Sequence, residues 1–181
     1  SSYTRTLDNI FGVEGEVAQK VADALNAKLT TAEAAAVAKV PTENAAAYDA
    51  YLRGLVIEKK PSSSGEGAMP SGGIVLRQAE TLYAEAVKLD PQFALAWAHL
   101  AYIKILIYSH FIDRSPAFLA QAKQAVDKAL QLQPNLGQGY LALAQYYYLG
   151  LRDLDAAVPP LQRARKLLPN NADVLVALSD V

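Results

Sequence analysis

Three copies of one residue pattern limit most strongly how this chain can fold. Each copy reads Ala-x-x-x-large-x-x-Ala-x-x-x-x-Pro, and the copies end at Pro91, Pro134 and Pro169. Each proline is followed by a large residue six positions later, an aliphatic one after nine and a small or short one after ten. The residues before the prolines are Ala79, Tyr83 and Ala86, then Ala122, Val126 and Ala129, then Ala157, Leu161 and Ala164; those after them are Trp97, Leu100 and Ala101, then Tyr140, Leu143 and Ala144, then Leu175, Leu178 and Ser179.

These spacings predict paired helices. Offsets of three, four and seven residues place side chains on one face of a helix. We call the helix after each proline the A helix and the helix before the next proline the B helix. Small residues let the two backbones approach closely, and a proline separates each B helix from the next A helix. Because one pair cannot bury its apolar face alone, we expect an all-α solenoid of stacked helix-turn-helix repeats.

The register resembles that of the tetratricopeptide repeat (TPR) family, whose standard unit has about 34 residues. Pro134 and Pro169 are 35 residues apart, whereas Pro91 and Pro134 are 43 apart, and we place the excess in a longer turn around 109–116. The resemblance covers roughly residues 45–181. It implies a TPR-like superhelix of about three repeats plus the start of a fourth helix pair. Because no initiator methionine opens the chain and Val181 falls inside a predicted A helix, we expect both ends to continue in a longer protein.

Residues 1–30 are predicted to be an N-terminal helical segment, either the end of a preceding domain or a cap. They should contain an amphipathic helix, because Val17, Val21 and Leu25 recur every four residues. This stretch resembles the linking helix of multidomain bacterial signalling proteins, in which a nucleotidyl-cyclase or winged-helix domain is followed by a TolB-like domain and then by TPRs. The residues that match are Tyr3, Arg5, Leu7, Ile10 and Phe11, then the helix from Val17 to Leu25. The resemblance implies a bacterial, adenylate cyclase-associated signalling protein; an ordinary helix that caps the solenoid is the alternative.

Residues 31–44 are predicted to form a short alanine-rich helix and a linker that is broken at Val40-Pro41. The first A helix should then run from Glu43 to Lys60, with Gly54 at the small position of the pattern. Residues 61–73 are rich in glycine, serine and proline, and we expect a flexible polar insertion there. The insertion is not a phosphate-binding loop, because no Gly-Lys-Ser/Thr follows it and no strand precedes it.

The charge balance and the lack of cysteine limit which partners and chemistry this chain can have. The chain has 17 basic and 18 acidic residues, so it has no electrostatic footprint for nucleic acid, which also disfavours a repeat-coded RNA binder. It has no cysteine, which excludes disulfides, thiol catalysis and cysteine-ligated zinc. The apolar run 93–108 contains His99 and Lys104 and is explained by the repeat, so we expect no membrane insertion of this segment. The compartment stays open between bacterial cytoplasm and periplasm.

The sequence offers little for catalysis. His99 and His110 are eleven residues apart, and no carboxylate accompanies His99 at the spacing of a metal site. No serine has the strand-turn-helix context of a nucleophile elbow. A helical enzyme would need polar residues that converge in one pocket, and the sequence pattern indicates none. We therefore expect no enzyme activity, no metal and no cofactor.

The function should instead lie on the surface that the A helices form, since A helices line the concave face of TPR arrays. This face lacks the lysine and asparagine clamp of TPRs that bind the acidic C-terminus of heat-shock chaperones. Its apolar, aromatic and amide-bearing character suits a peptide or helix of a partner protein, and we expect Tyr51, Tyr102 and Tyr148 to point toward it. The alternative is a structural spacer or oligomerisation segment, for example in a homo-oligomer, whose groove is self-filled. The candidate groove residues are Tyr48, Tyr51, Leu55, Leu95, Ala98, Tyr102, Gln138, Leu141, Gln145 and Tyr148.

Overall fold

The structure is a computed structural model that describes residues 41–58 and 69–179. This part of the chain is all-α, with seven α-helices, one π-helical turn and no strand. The described residues from Ala46 onward belong to one compact unit. The helices are α1 (Ala45–Glu58), α2 (Met69–Leu89), α3 (Ala94–Ser109), α4 (Pro116–Leu132), α5 (Gly137–Gln145), the π-helical turn (Tyr146–Leu151), α6 (Leu154–Leu167) and α7 (Ala172–Ser179).

The three turns between the pairs repeat one set of backbone hydrogen bonds. In the first turn, the amides of Asp90, Phe93 and Trp97 donate to the carbonyls of Ala86, Asp90 and Phe93. The other two turns have the same bonds at the same places in the sequence pattern, so the repeat in sequence is also a repeat in backbone geometry. The equivalent bonds are Gln133 to Ala129, Leu136 to Gln133 and Tyr140 to Leu136, and then Leu168 to Ala164, Asn171 to Leu168 and Leu175 to Asn171.

The large residue after each proline also has a repeated role in the first two turns. Trp97 Nε1 donates to the carbonyl of Pro91 at 3.0 Å, and the Tyr140 hydroxyl donates to the carbonyl of Pro134 at 3.1 Å. Both rings are partly buried against the core. An aromatic side chain with one polar tip suits this position, because the ring packs inside while the tip satisfies a turn carbonyl.

The small residues of the B helices lie inside the core. The alanines at both small positions of all three B helices have no exposed surface, which confirms the sequence interpretation; they are Ala79, Ala86, Ala122, Ala129, Ala157 and Ala164. In α1, a Cβ added to Gly54 would lie only 2.7 Å from Cε1 of Tyr83. Glycine at that position therefore allows the Tyr83 ring to pack directly on the α1 backbone.

The A helices pack on their own B helices and on each other: α3 contacts α4 and α5, and α5 contacts α6. Within the described ranges, no helix combines the length and the hydropathy needed to cross a membrane. The six-residue turn 110–115 is longer than the two-residue turn 152–153, as the spacing of the prolines predicted. Part of the excess lies elsewhere, since α4 has 17 residues and α6 has 14.

Two predicted boundaries near α1 and α2 differ from the structure. Helix α1 begins at Ala45 rather than at Glu43, because Thr42 Oγ1 accepts a hydrogen bond from the amide of Asn44 before the first turn. The predicted insertion 61–73 was wrong for its last residues, since α2 already begins at Met69. Proline fits the first turn of a helix, where its missing N–H leaves no bond unmade, so Pro70 does not prevent this start.

Several predictions lie outside the described residues. These are the N-terminal helix within residues 1–30, the short helix and break that were predicted before Pro41, the end of the first A helix at Lys60, and residues 61–68 of the polar insertion.

The third A helix changes its geometry after Gln145. The chain continues from α5 into the π-helical turn Tyr146–Leu151. The next residue, Arg152, has a left-handed φ of 59°. A π-helical turn holds more residues than an α-helical turn, so side chains beyond Gln145 leave the α-helical register. Asp153 then caps α6, accepting a hydrogen bond from the amide of Ala156 at 2.9 Å.

Candidate binding pocket

A pocket of about 220 Å³ lies between four A helices, α1, α3, α5 and α7. Its wall is mostly apolar and aromatic at the middle helices and becomes polar toward the ends of α1 and the start of α7. The lining residues are Tyr51, Leu55 and Glu58 from α1, Ala98, His99 and Tyr102 from α3, Gln138, Leu141 and Ala142 from α5, and Asn171 and Asp173 at the start of α7.

The pocket brings together six of the ten candidate groove residues: Tyr51, Leu55, Ala98, Tyr102, Gln138 and Leu141. They come from three separate helices, and on each helix they occupy the same positions of the repeat pattern. The side chains of Leu55, Tyr102 and Gln138 are partly exposed, whereas Ala98 and Leu141 are buried. Among these six candidates, the accessible side chains are therefore an aliphatic, an aromatic and an amide side chain.

The other four candidates do not line this pocket. Tyr48 is only 8% exposed, and its ring stacks on that of Tyr51 with 6.2 Å between centroids. Leu95 packs against a core cluster between α3 and α4. Gln145 ends α5, and its Oε1 atom is buried and accepts no hydrogen bond from the described residues. Tyr148 lies within the π-helical turn.

The expectation that three tyrosines share one accessible surface therefore needs correction. Tyr102 lines the pocket and is partly exposed, but Tyr51 is only 5% exposed. The Tyr51 ring lies 5.0 Å from the ring of Phe93 and 5.8 Å from that of Tyr83, centroid to centroid. Tyr51 thus forms a fixed part of the wall, and Tyr148 is not among the lining residues of this pocket.

A hydrogen-bonded group of three side chains joins α1, α2 and α3 at one end of the pocket. The Tyr83 hydroxyl donates to Glu58 Oε2, and His99 Nδ1 lies 3.0 Å from the same oxygen. The His99 ring also lies 5.3 Å from the Tyr83 ring and 5.4 Å from the Tyr51 ring. One carboxylate therefore links the polar tips of an otherwise aromatic cluster.

Two features of this arrangement could not be seen in the sequence. His99 has a carboxylate partner, and polar residues do converge in one pocket. Glu58 and His99 are 41 residues apart, so no helical spacing could reveal their contact. Within the described ranges, however, no group of three His, Cys, Asp or Glu residues is placed to hold a metal ion.

Burial and nearby negative charge raise the pKa of three phenols in or beside the pocket. Burial and then the charges of Asp173 and Glu58 raise the pKa of Tyr102 to about 12. Burial, the charge of Glu58 and the hydrogen bond to Glu58 raise the pKa of Tyr83 above its ordinary range. The pKa of Tyr51 is also raised, by burial, by Glu58 and by Tyr48.

The rim at α7 is formed by Asn171, which precedes the helix, and by Asp173 in its first turn. Asn171 Oδ1 accepts a hydrogen bond from the amide of Val174 at 3.0 Å, which caps the start of α7. Asp173 follows in the first turn of α7 and is exposed. The cap fixes the start of this short helix, and so it places the Asp173 carboxylate beside the opening of the pocket.

No protein-family model matches the chain, and no curated protein matches its sequence. Its function must therefore be inferred from the pocket itself, from the partly exposed aromatic and aliphatic wall and from the carboxylates beside it.

Proposed function

We propose that this chain is a TPR-like, non-catalytic interaction module that binds a segment of a partner protein in the pocket between its A helices. The observation that carries the proposal is the convergence of Tyr51, Leu55, Ala98, Tyr102, Gln138 and Leu141 on one pocket. Six residues that were selected by repeat register thus line one pocket, which supports the proposal.

The repeated turns support the TPR-like assignment. Equivalent backbone hydrogen bonds recur at three turns. One proline spacing, 35 residues, is close to the standard unit of about 34, and the other, 43 residues, exceeds it mainly through the longer turn 110–115 and the longer helix α4. The close contact between Gly54 and the Tyr83 ring fits the small position of that family. Stacked units of this kind characteristically use a concave surface for binding.

The size of the pocket favours a peptide side chain over a cofactor. Sites for small molecules and cofactors usually measure about 300–1,000 Å³, and this pocket has about 220 Å³. A partner segment needs only to insert one side chain here, while its neighbours contact the surrounding surface. Tyr102 suits such an anchor point, because a tyrosine offers a large apolar area and a hydroxyl with little entropy to lose.

The wider role in bacterial signalling rests on the N-terminal resemblance. Tyr3, Arg5, Leu7, Ile10 and Phe11 match the linker of TolB-like and TPR proteins that carry nucleotidyl-cyclase or winged-helix domains. In such a protein, this module would recruit a partner or position the regulatory domain.

Selection of binding peptides from a random display library tests the proposal. We expect peptides that bind the wild-type chain and lose about fivefold to thirtyfold in affinity with Tyr102→Ala, which corresponds to about 1–2 kcal/mol. Tyr108→Ala is the matched control, because Tyr108 is a partly exposed tyrosine on the same helix but outside the pocket lining. Failure to enrich any peptide, or equal losses for both variants with unchanged melting temperatures, would refute the proposal.

A structural role in oligomerisation is the second candidate. Helix α7 exposes two adjacent apolar side chains, Leu175 at 49% and Val176 at 61%. Sedimentation equilibrium of wild type and Val176→Glu tests this candidate. A dimer that Val176→Glu dissociates would support it, and a monomer at all accessible concentrations would exclude it.

A further inference from the structure

The turn between α3 and α4 has an unusual residue at the end of α3. The amide of Phe111 donates to the carbonyl of Tyr108 at 3.2 Å. The amide of Ile112 donates to the carbonyl of Ile107 at 3.1 Å, and these two bonds together form a Schellman motif. Such a motif places its second residue after the helix in the left-handed region, where glycine is usual, but here that residue is Phe111 with φ 62°.

The side chain of Phe111 does not compensate for this strained backbone by packing in the core. It is 72% exposed, which makes it the most exposed large apolar side chain among the described residues. A strained residue persists when something other than local stability requires it, and strained residues cluster at functional sites. An exposed aromatic ring on a turn is also typical of a binding surface.

The Phe111 ring takes part in a stack with an arginine. Arg114 Cζ lies 4.6 Å from the centroid of the Phe111 ring and 4.5 Å from that of the Tyr108 ring. Contact with aromatic faces restricts the guanidinium group and leaves the N–H donors at its edge available. These donors match the two oxygens of a carboxylate.

The charges beside the turn leave one cation without a counter-charge. Arg77 pairs with Glu80 at 2.9 Å and with Asp113 at 3.5 Å, and Lys104 pairs with Glu80 at 2.7 Å. Within the described part of the chain, Arg114 has no ion-pair partner. This group therefore has three cations for two carboxylates, so it attracts an acidic ligand.

An open apolar groove of about 410 Å³ adjoins the same turn. Its lining residues come from α2 and from the turn; they are Gly73, Ile74, Arg77, Gln78, Thr81 and Ile112. Ile74 is 61% exposed, and Ile112 directly follows Phe111, so the groove and the exposed ring are neighbours. Asp113 Oδ1 holds the turn by accepting hydrogen bonds from the amide and the hydroxyl of Ser115. We call the surface formed by four residues the turn surface: Ile74, Phe111, Ile112 and Arg114.

We propose that the turn surface binds a segment of a partner protein in which an apolar residue stands next to an acidic one. The apolar side chain occupies the groove beside Phe111, and the carboxylate pairs with Arg114. None of the four residues lines the pocket between the A helices, so this surface is independent of the proposed function. A protein segment suits it better than a membrane, because stable binding to anionic lipid usually requires a cluster of basic residues.

Matched small probes test the charge preference. We expect 4-phenylbutyrate, titrated into the full chain, to shift the amide NMR signals of Ile74, Phe111 and Ile112 in a saturable way, and 4-phenylbutylammonium to leave them unchanged. Arg114→Gln should weaken 4-phenylbutyrate binding by about fivefold or more. Arg152→Gln is the matched control and should have no effect, since Arg152 is an exposed arginine at another turn. Equal binding of both probes, no shift with 4-phenylbutyrate, or no effect of Arg114→Gln would overturn the proposal.

Replacement by glycine separates binding from folding. Phe111→Gly should raise the melting temperature, because glycine adopts a left-handed φ without strain, and should weaken 4-phenylbutyrate binding by about fivefold or more. Arg152→Gly is the matched control, since Arg152 has a similar φ of 59°; it should leave binding unchanged. A lower melting temperature for Phe111→Gly would show that the ring supports the fold, and unchanged binding would remove it from the surface.

Peptide selection distinguishes this surface from the pocket. Peptides that bind the turn surface should share an apolar residue next to an acidic one, lose affinity with Phe111→Gly and keep it with Tyr102→Ala. Selected peptides that all respond to Tyr102→Ala and never to Phe111→Gly would overturn this inference and leave the pocket standing. Cosedimentation with phosphatidylglycerol vesicles that Phe111→Gly removes, without any such peptide, would overturn the partner protein in favour of a lipid surface.

Discussion

The contact between Gly54 and Tyr83 gives a sharp test of the packing. A Cβ at position 54 would lie 2.7, 2.9 and 3.0 Å from three atoms of the Tyr83 ring. The ring cannot move away easily, because it is fully buried, lies beside the rings of Tyr51 and His99, and is held at its hydroxyl by Glu58. Gly54→Ala should therefore strain the core between α1 and α2.

The expected magnitude is the difference between two effects. Overpacking a well-filled core costs about 1–3 kcal/mol. Alanine in place of glycine inside a helix contributes about 0.5–1 kcal/mol of stability, which offsets part of that cost. We expect Gly54→Ala to lower the free energy of unfolding by about 1–2 kcal/mol, which corresponds to a fall of roughly 3–8 °C in melting temperature for a domain of this size.

Urea denaturation followed by far-UV circular dichroism measures this change. Gly73→Ala is the matched control, because a Cβ there would meet Ile112 at an ordinary distance of 3.6 Å. Gly73 lies within α2, so its replacement should stabilise the protein by up to about 1 kcal/mol. Equal effects of the two substitutions, or a stabilising Gly54→Ala, would refute the predicted contact with Tyr83.

A double-mutant cycle identifies the partner in this contact. In a Tyr83→Leu background the ring is gone, so Gly54→Ala should cost less than in wild type. We expect a coupling energy of about 1 kcal/mol or more between the two positions, and additive effects would show that the strain arises elsewhere.

Three further predictions concern the core and the pocket. Trp97→Ala should lower the free energy of unfolding by about 3 kcal/mol, because the ring packs against two core clusters and Nε1 donates to Pro91; unchanged urea unfolding would contradict the repeat register. Ala129→Leu should cost about 1–3 kcal/mol by overpacking, whereas Ala120→Leu, on the exposed side of the same helix, should stay within about 0.5 kcal/mol. The contribution of Tyr102 to the free energy of unfolding should be constant below pH about 10. It should fall as pH rises from about 10 toward about 12, because the unfolded chain loses the Tyr102 proton at lower pH than the folded chain does. Urea titrations at successive pH values should show a smaller fall for Tyr102→Phe, and an identical fall would disprove the raised pKa.

The local parts of this structure could be predicted from the sequence. Spacings of three and four residues report which side chains share a helix face, and the buried alanines Ala79, Ala122 and Ala157 follow from that periodicity. The prolines likewise separated the helix pairs correctly, since each falls within a turn that repeats the same hydrogen bonds.

Features that depend on contacts between distant segments could not be predicted in this way. Glu58 and His99 meet only after α1 and α3 have packed, so the polar end of the pocket was missed. The sequence pattern also continues through Tyr146–Tyr148 without interruption, although the backbone changes to π-helical geometry there. Because a π-helical turn holds more residues than an α-helical turn, Tyr148 does not follow the α-helical register by which it was assigned to the groove.

The most direct test of the proposed binding pocket is the set of intermolecular NOEs between a selected peptide and methyl-labelled protein. One peptide side chain should show NOEs to the methyl groups of Leu55, Ala98 and Leu141, which come from three different A helices and line the same pocket. NOEs that instead converge on the exposed methyl groups of Val56 or Leu175, with none to these three residues, would contradict the proposal.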